Sequence, residues 1–198
     1  MSILSSILLR SPLASGLQIS VTQAPGGTTS HAGELFYGWD FALSSDSMFG
    51  MDVLAIADGT VVFIEESVPD GDAASGSFGD ETTARDPSLG PAGALGNVVT
   101  LEHNIDGQIF YSSYMHLSQD SVPLQVGDSV LAGEVIGQVG NTGVRTDTHL
   151  HVNIGETLGS YTNSDGIDFP SYQIAEGSND GDALLGLIDF TDSPNADG

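Results

Sequence analysis

Val98-Val-Thr-Leu-Glu-His103 and Gln108-Ile-Phe-Tyr-Ser-Ser-Tyr-Met115 flank the short connection Asn104-Ile-Asp-Gly107. Both flanks are rich in β-branched and aromatic residues. Asp-Gly between two such runs marks a tight hairpin, because its central residues must take positive φ. The segment reads as an antiparallel pair. The same punctuation extends outward, with 26 glycines separating short apolar runs. Residues 17–21 (LQISV) and 35–43 (LFYGWDFAL) read as strands. Residues 53–57 and 60–65 read as a hairpin turned by Asp58-Gly59, residues 129–138 as two short strands around Ala132-Gly133, and residues 148–154 as a late strand. No long window carries a helical period. The expectation is a mainly β protein.

Two segments stand apart. Residues 67–95 are rich in Gly, Asp, Ser, Ala and Pro, and read as a long insertion between two strands, either a lid or a disordered loop. Residues 177–198 hold one apolar run, 183–190, suited to a last strand or helix turn, before a frayed end. The expected organisation is a lead-in with one strand (1–30), a main domain (31–160) and a C-terminal extension (161–198).

The 198 residues include 27 acidic and three basic ones (Arg10, Arg85, Arg145), no lysine, and a net charge of −24. Such a surface repels phosphate backbones and anionic bilayers, which excludes nucleic acid as a partner. It fits adaptation to high salt and equally an acidic secreted protein. The absence of cysteine excludes disulfides and thiolate chemistry. No apolar run approaches the roughly 20 residues of a membrane-spanning helix. Residues 1–10 lack the basic flank and small-residue cleavage site of a signal peptide.

The chemistry concentrates in five histidines: His31, His103, His116, His149 and His151. In Thr148-His-Leu-His151 the two imidazoles share one face of a strand, so one can ligate a metal while the other reaches the water it activates. A satisfied polar face is the plainer alternative. Asp40 lies between Trp39 and Phe41, where a carboxylate is costly unless paired or ligated, and almost no basic residue exists to pair it. His116 follows Tyr114-Met115 at a strand end. Together these residues form a His/Asp/His inventory of the zinc type with a spare histidine. His103 reads as structural or exposed. Asn141 and Thr142 either line a groove or form a plain turn. Asp70, Asp72, Asp80, Glu81 and Asp86 match no calcium loop and read as a solvated charge run.

The ordered set of motifs resembles the zinc metallopeptidases of the lysostaphin and LytM type, the M23 family, over residues 31–154. The pieces are Gly38-Trp-Asp-Phe-Ala42, Gly50-Met-Asp-Val-Leu-Ala-Ile-Ala-Asp-Gly-Thr-Val61, Gly96-Asn-Val-Val-Thr-Leu-Glu-His103, Tyr114-Met-His-Leu-Ser118, Val126-Gly-Asp-Ser-Val130 through Gly137, Gly140-Asn-Thr-Gly143 and His149-Leu-His151. The resemblance implies an antiparallel sheet with a groove and a small barrel-like sandwich layer from residues 126–140. It implies Zn2+ held by Asp40 and His151, His149 as the base, and His116 steadying the oxyanion. It further implies a peptidoglycan peptide as substrate and an extracellular or periplasmic location.

The family's usual histidine four residues before the aspartate is replaced here by Phe36. His31, in Ser30-His-Ala-Gly33, resembles a relocated ligand. Glu34, or no third protein ligand, are the alternatives. Asp147-Thr148 and Val152-Asn153 stand where the family often has Gly-Pro and Phe-Glu. The expected function is endopeptidase action on cell-wall cross-links. The competing expectation is a non-catalytic M23-like activator or binding module with a degenerate metal site. A lipoyl-type carrier, suggested by residues 126–137, needs a lysine that the chain lacks.

Overall fold

The computed structural model describes residues 9–25, 31, 35, 38–43, 48–70, 95–143, 148–162 and 168–176. These form β1 (Ile19–Gln23), β2 (Gly38–Leu43), β3 (Asp52–Leu54), β4 (Gly59–Glu65), β5 (Asn97–Ile105), β6 (Gln108–Leu117), β7 (Ser129–Val130), β8 (Val135–Gln138), β9 (Leu150–Gly155), β10 (Thr157–Thr162) and β11 (Asp168–Glu176). A seven-stranded sheet runs β1-β2-β9-β6-β5-β4-β7, and β3-β8 and β10-β11 form two-stranded sheets. All pairings between these strands are antiparallel. The chain is mainly β, as its turn chemistry predicts.

The β5–β6 hairpin closes with Ile105 opposite Gln108, and Asp106 and Gly107 take φ of 54° and 84°. Two positive-φ residues in a two-residue loop match the right-handed strand twist. The expected hairpin of residues 53–57 and 60–65 does not form. β3 pairs with β8 in the small sheet, whereas β4 pairs with β5 and β7 in the large one. The reason lies in Ala55, Ile56 and Ala57, three consecutive buried residues. A strand exposed on one face must alternate. This run instead crosses the core from one sheet to the other, and Asp58-Gly59 starts β4. The two short strands expected in residues 129–138 exist but serve different sheets.

Alternation then sorts the large sheet into two faces. Trp39 and Phe41 of β2, Val99 and Leu101 of β5, Phe110 and Tyr114 of β6, and Leu150, Val152 and Ile154 of β9 pack with Val53, Ala55, Ile56, Ile136 and Val139. Each Val, Leu, Ile or Phe among them contributes about 1.5–3 kcal/mol on burial. The opposite face carries Asp40, His151 and Asn153. There a smaller cluster of Val68, Leu95, Val98, Met115 and Ile174 holds β11 against the sheet.

His103 is fully buried on the core face. Its Nδ1 donates to Asp58 O at 2.9 Å, and its Nε2 lies 2.7 Å from Ser112 Oγ. The Ser112 and Tyr114 hydroxyls are 3.1 Å apart, and Ile56 N donates to Tyr114 Oη at 3.0 Å. This network joins the crossing segment to the large sheet. Burial pushes His103 down to about 4, so it is a neutral structural histidine at pH 7.

Candidate metal centre

The β2–β9 register sets Asp40 directly opposite His151, and β6 sets Met115 on the other side of His151. Opposite residues in an antiparallel pair share a face at about 5 Å between Cβ atoms. His149 precedes β9 and is on the same side as His151 by the period of two. Gly38 pairs with Asn153. A Cβ at Gly38 would stand 2.4 Å from His151 Cε1 and 2.6 Å from Asn153 Oδ1, so the imidazole occupies the space that only glycine leaves.

His116 reaches this face by a different device. Plain alternation would put it opposite Met115, on the core side. However, Val99 pairs with Tyr114 and Asn97 with Leu117, so β6 carries one extra residue there. This β-bulge, with His116 at φ 63°, turns the imidazole toward the site while Tyr114 and Leu117 both stay in the core. A non-glycine residue in that region stores local strain. It is held by Gly140 N donating to His116 O at 2.9 Å and by His116 Nδ1 donating to Thr142 O at 2.9 Å. Thr142 Oγ1 donates to Leu117 O and accepts from Asn97 N. Asn141 and Thr142 are buried, and the Thr142 carbonyl accepts from His116 Nδ1. Asp70, read as a solvated charge, accepts from Ser118 Oγ at 2.7 Å, Gln119 N at 2.9 Å and Asn141 N at 3.2 Å. It ties the start of the insertion to the two segments that carry His116. Asp72, Asp80, Glu81 and Asp86, together with the run 183–190, lie outside the described residues, as do Glu34 and Phe36.

Three imidazoles converge on one carboxylate oxygen. Asp40 Oδ1 is 2.7 Å from His151 Nδ1, 3.2 Å from His31 Nε2 and 3.5 Å from His149 Nε2. The His116 and His149 ring centroids are 4.8 Å apart, and those of His31 and His151 are 4.9 Å apart. His31, Asp40 and His151 are all buried and offer donor atoms within 4.8 Å of one another. Burial alone would push the Asp40 carboxyl up. The bonds with His151 and His31, and the positive charge that His151 and His149 can carry, hold it well below the usual carboxylate range.

Proton accounting sharpens the picture. A backbone carbonyl only accepts. His31 Nδ1 therefore donates to Ala24 O at 3.0 Å, and the neutral ring turns a bare Nε2 toward Asp40. That Nε2 is buried and makes no hydrogen bond among the described residues. Asn153 Nδ2 donates to Ala175 O at 3.3 Å, which turns Asn153 Oδ1 toward His151 Nε2 at 2.9 Å. His151 Nε2 thus carries a proton, and in the neutral ring its Nδ1 faces Asp40 as a lone pair. When both rings are neutral, they aim lone pairs at one carboxylate oxygen, with no hydrogen between them. Such a point is repulsive unless a cation fills it, either a second proton on an imidazole or a metal. The His/His/Asp donor set suits Zn2+, which takes three protein ligands in hydrolytic centres.

The sequence model of peptidase family M23 matches residues 34–165, two-thirds of the chain. A metalloprotease of Haemophilus influenzae is 43% identical over 60 residues, covering 30% of this chain and 12% of that protein. One from Buchnera aphidicola is 37% identical over 59 residues, covering 30% of this chain and 14% of that protein. The chain thus matches only a small part of the length of these curated relatives. Among solved structures, a chain of the SpoIIQ–SpoIIIAH pore-forming complex shares the fold, with TM-score 0.50 and 20% identity over 92% of both chains. The buried His31, Asp40 and His151 form a group that could hold a metal ion. The chain belongs to peptidase family M23. His31 lies three residues upstream of the family match.

Proposed function

We propose that this chain is a zinc metalloendopeptidase that hydrolyses peptide cross-links of bacterial peptidoglycan, acting in the extracellular or periplasmic space. The carrying observation is the bare, buried Nε2 of His31 beside Asp40 and His151. Zn2+ held by His31, Asp40 and His151 supplies Lewis acidity toward a peptide carbonyl and toward water. His149, partly exposed and 3.5 Å from Asp40 Oδ1, accepts the proton of the attacking water and passes it to the leaving amine. His116 gives its Nδ1 proton to Thr142 O, so its Nε2 donates to the developing oxyanion in the imidazolium form. The substrate class rests on the resemblance of the ordered motifs to the lysostaphin type. The non-catalytic alternative rests on Phe36, whereas the His31 Nε2, 3.2 Å from Asp40 Oδ1, supports the catalytic reading.

Zinc titration by calorimetry, paired with release of soluble fragments from purified peptidoglycan, tests this reading. His31→Ala and His151→Ala are expected to weaken zinc binding by about two orders of magnitude or more, since both leave a two-ligand protein site. His149→Ala is expected to retain zinc and lose hydrolysis. Equal zinc affinity in the parent and His31→Ala would overturn the ligand set. A zinc-loaded parent inert on peptidoglycan would overturn the substrate.

A further inference from the structure

Thr100 of β5, Ser113 of β6 and Asn153 of β9 are polar, yet fully buried on the face that carries the metal centre. Their partner is β11. Thr100 Oγ1 donates to Gln173 O at 2.9 Å, Ala175 N donates to Ser113 Oγ at 2.8 Å, and Asn153 Nδ2 donates to Ala175 O. The Thr100 and Ser113 hydroxyls are 2.8 Å apart. With the Thr100 hydrogen committed to Gln173 O, the Ser113 hydroxyl donates to Thr100 Oγ1. The backbone of β11 is thus docked by side chains from three sheet strands. β11 also lies outside the family match, which ends at residue 165.

We propose that Asn153 is a positioning residue whose amide, oriented by the Ala175 carbonyl of β11, presets His151 with its Nδ1 lone pair on the metal. The inference rests on the metallopeptidase reading for its consequence, while the Nε2–H bond to Asn153 Oδ1 that it assigns is read from the protein alone. A carbonyl at Ala175 can receive only the NH2 end of the amide. The Oδ1 end then faces His151 Nε2 and accepts its proton. A flipped ring would set a carbon in place of Nδ1 against Asp40 Oδ1 and lose that contact. Partners of this kind set ring orientation and ligand basicity, and their removal typically costs 10–100-fold in metal affinity.

The test uses the full chain stripped of metal by chelator, with two variants. Long-range 1H–15N spectra read the His151 tautomer, and zinc calorimetry reads affinity. The parent is expected to show the Nε2–H form. Asn153→Leu, which removes the acceptor, is expected to populate the Nδ1–H form and weaken zinc binding about 10–100-fold. Asn153→Asp keeps an acceptor for Nε2–H while losing the donor to Ala175. It is expected to retain the Nε2–H form and stay within several-fold of parental zinc affinity. An Nδ1–H parent overturns the proposal even if Asn153→Leu fails to fold. Equal losses in both variants, or none in Asn153→Leu, overturn it as well, because Asn153 would then only pack β11. A parent that binds no zinc but shows the Nε2–H form removes the metallopeptidase reading and leaves the positioning by Asn153 standing.

Discussion

Gly38 shows how tightly single positions constrain the centre. A methyl group there would meet His151 at 2.4 Å and Asn153 at 2.6 Å, so one of them must move. Gly38→Ala is therefore expected to cost about 1–3 kcal/mol by overpacking and to weaken zinc binding roughly tenfold or more by displacing a ligand. Urea unfolding and calorimetry measure the two effects, and parental values in both would show that the ring has room. Asp40, His149 and His151 were legible as a cluster because strand periodicity and an unpaired carboxylate between aromatics both bear on them. Asn153 was legible in position, two residues beyond His151, but not in partner, since Ala175 lies far along the chain. Ala24 contributes only a carbonyl, which no residue type announces.

Among the elements, the β5–β6 hairpin could be read locally because its turn residues carry the conformation. The crossing from β3 to β4 could not, because Asp58-Gly59 suits a hairpin and the competing signal was the missing alternation in Ala55-Ile56-Ala57. The bulge that delivers His116 left a faint trace: Tyr114 and Leu117, both core residues, are an odd number of positions apart. The β5–β6 ladder also makes a pH prediction. His103 is buried with its pKa lowered from 6.5 to about 4. The unfolded chain therefore binds a proton that the folded chain refuses between these values. The contribution is full above the ordinary histidine value and is lost as pH falls from 6.5 toward 4, by about 3 kcal/mol. His103→Gln has no such group, so its stability deficit relative to the parent should shrink by that amount between pH 7 and 4. Denaturant unfolding at both pH values measures it, and a constant deficit would assign the acid sensitivity elsewhere.

For the whole molecule, charge and topology act together. A net charge of −24 in 198 residues opposes the compact state through self-repulsion. The Debye length falls from about 10 Å at 0.1 M salt to about 3 Å at 1 M. The melting temperature is expected to rise across that interval, and a flat or falling trend in a thermal scan would count against adaptation to salt. The acidity was plain from composition. The pairing order of the strands was not, because it depends on contacts between distant segments.

The separation of the donor residues has one more consequence. Asp40 and His151 stand 111 residues apart in the chain and 2.7 Å apart in space, and His31 joins them from outside the family match. An ion gripped by all three is a staple across most of a cysteine-free polypeptide. On the chain-entropy scale used for disulfides, closing a loop near that length removes roughly 4–5 kcal/mol of freedom from the unfolded state. In this protein an ion held there would do the work of a cross-link, and a chelator would loosen the architecture.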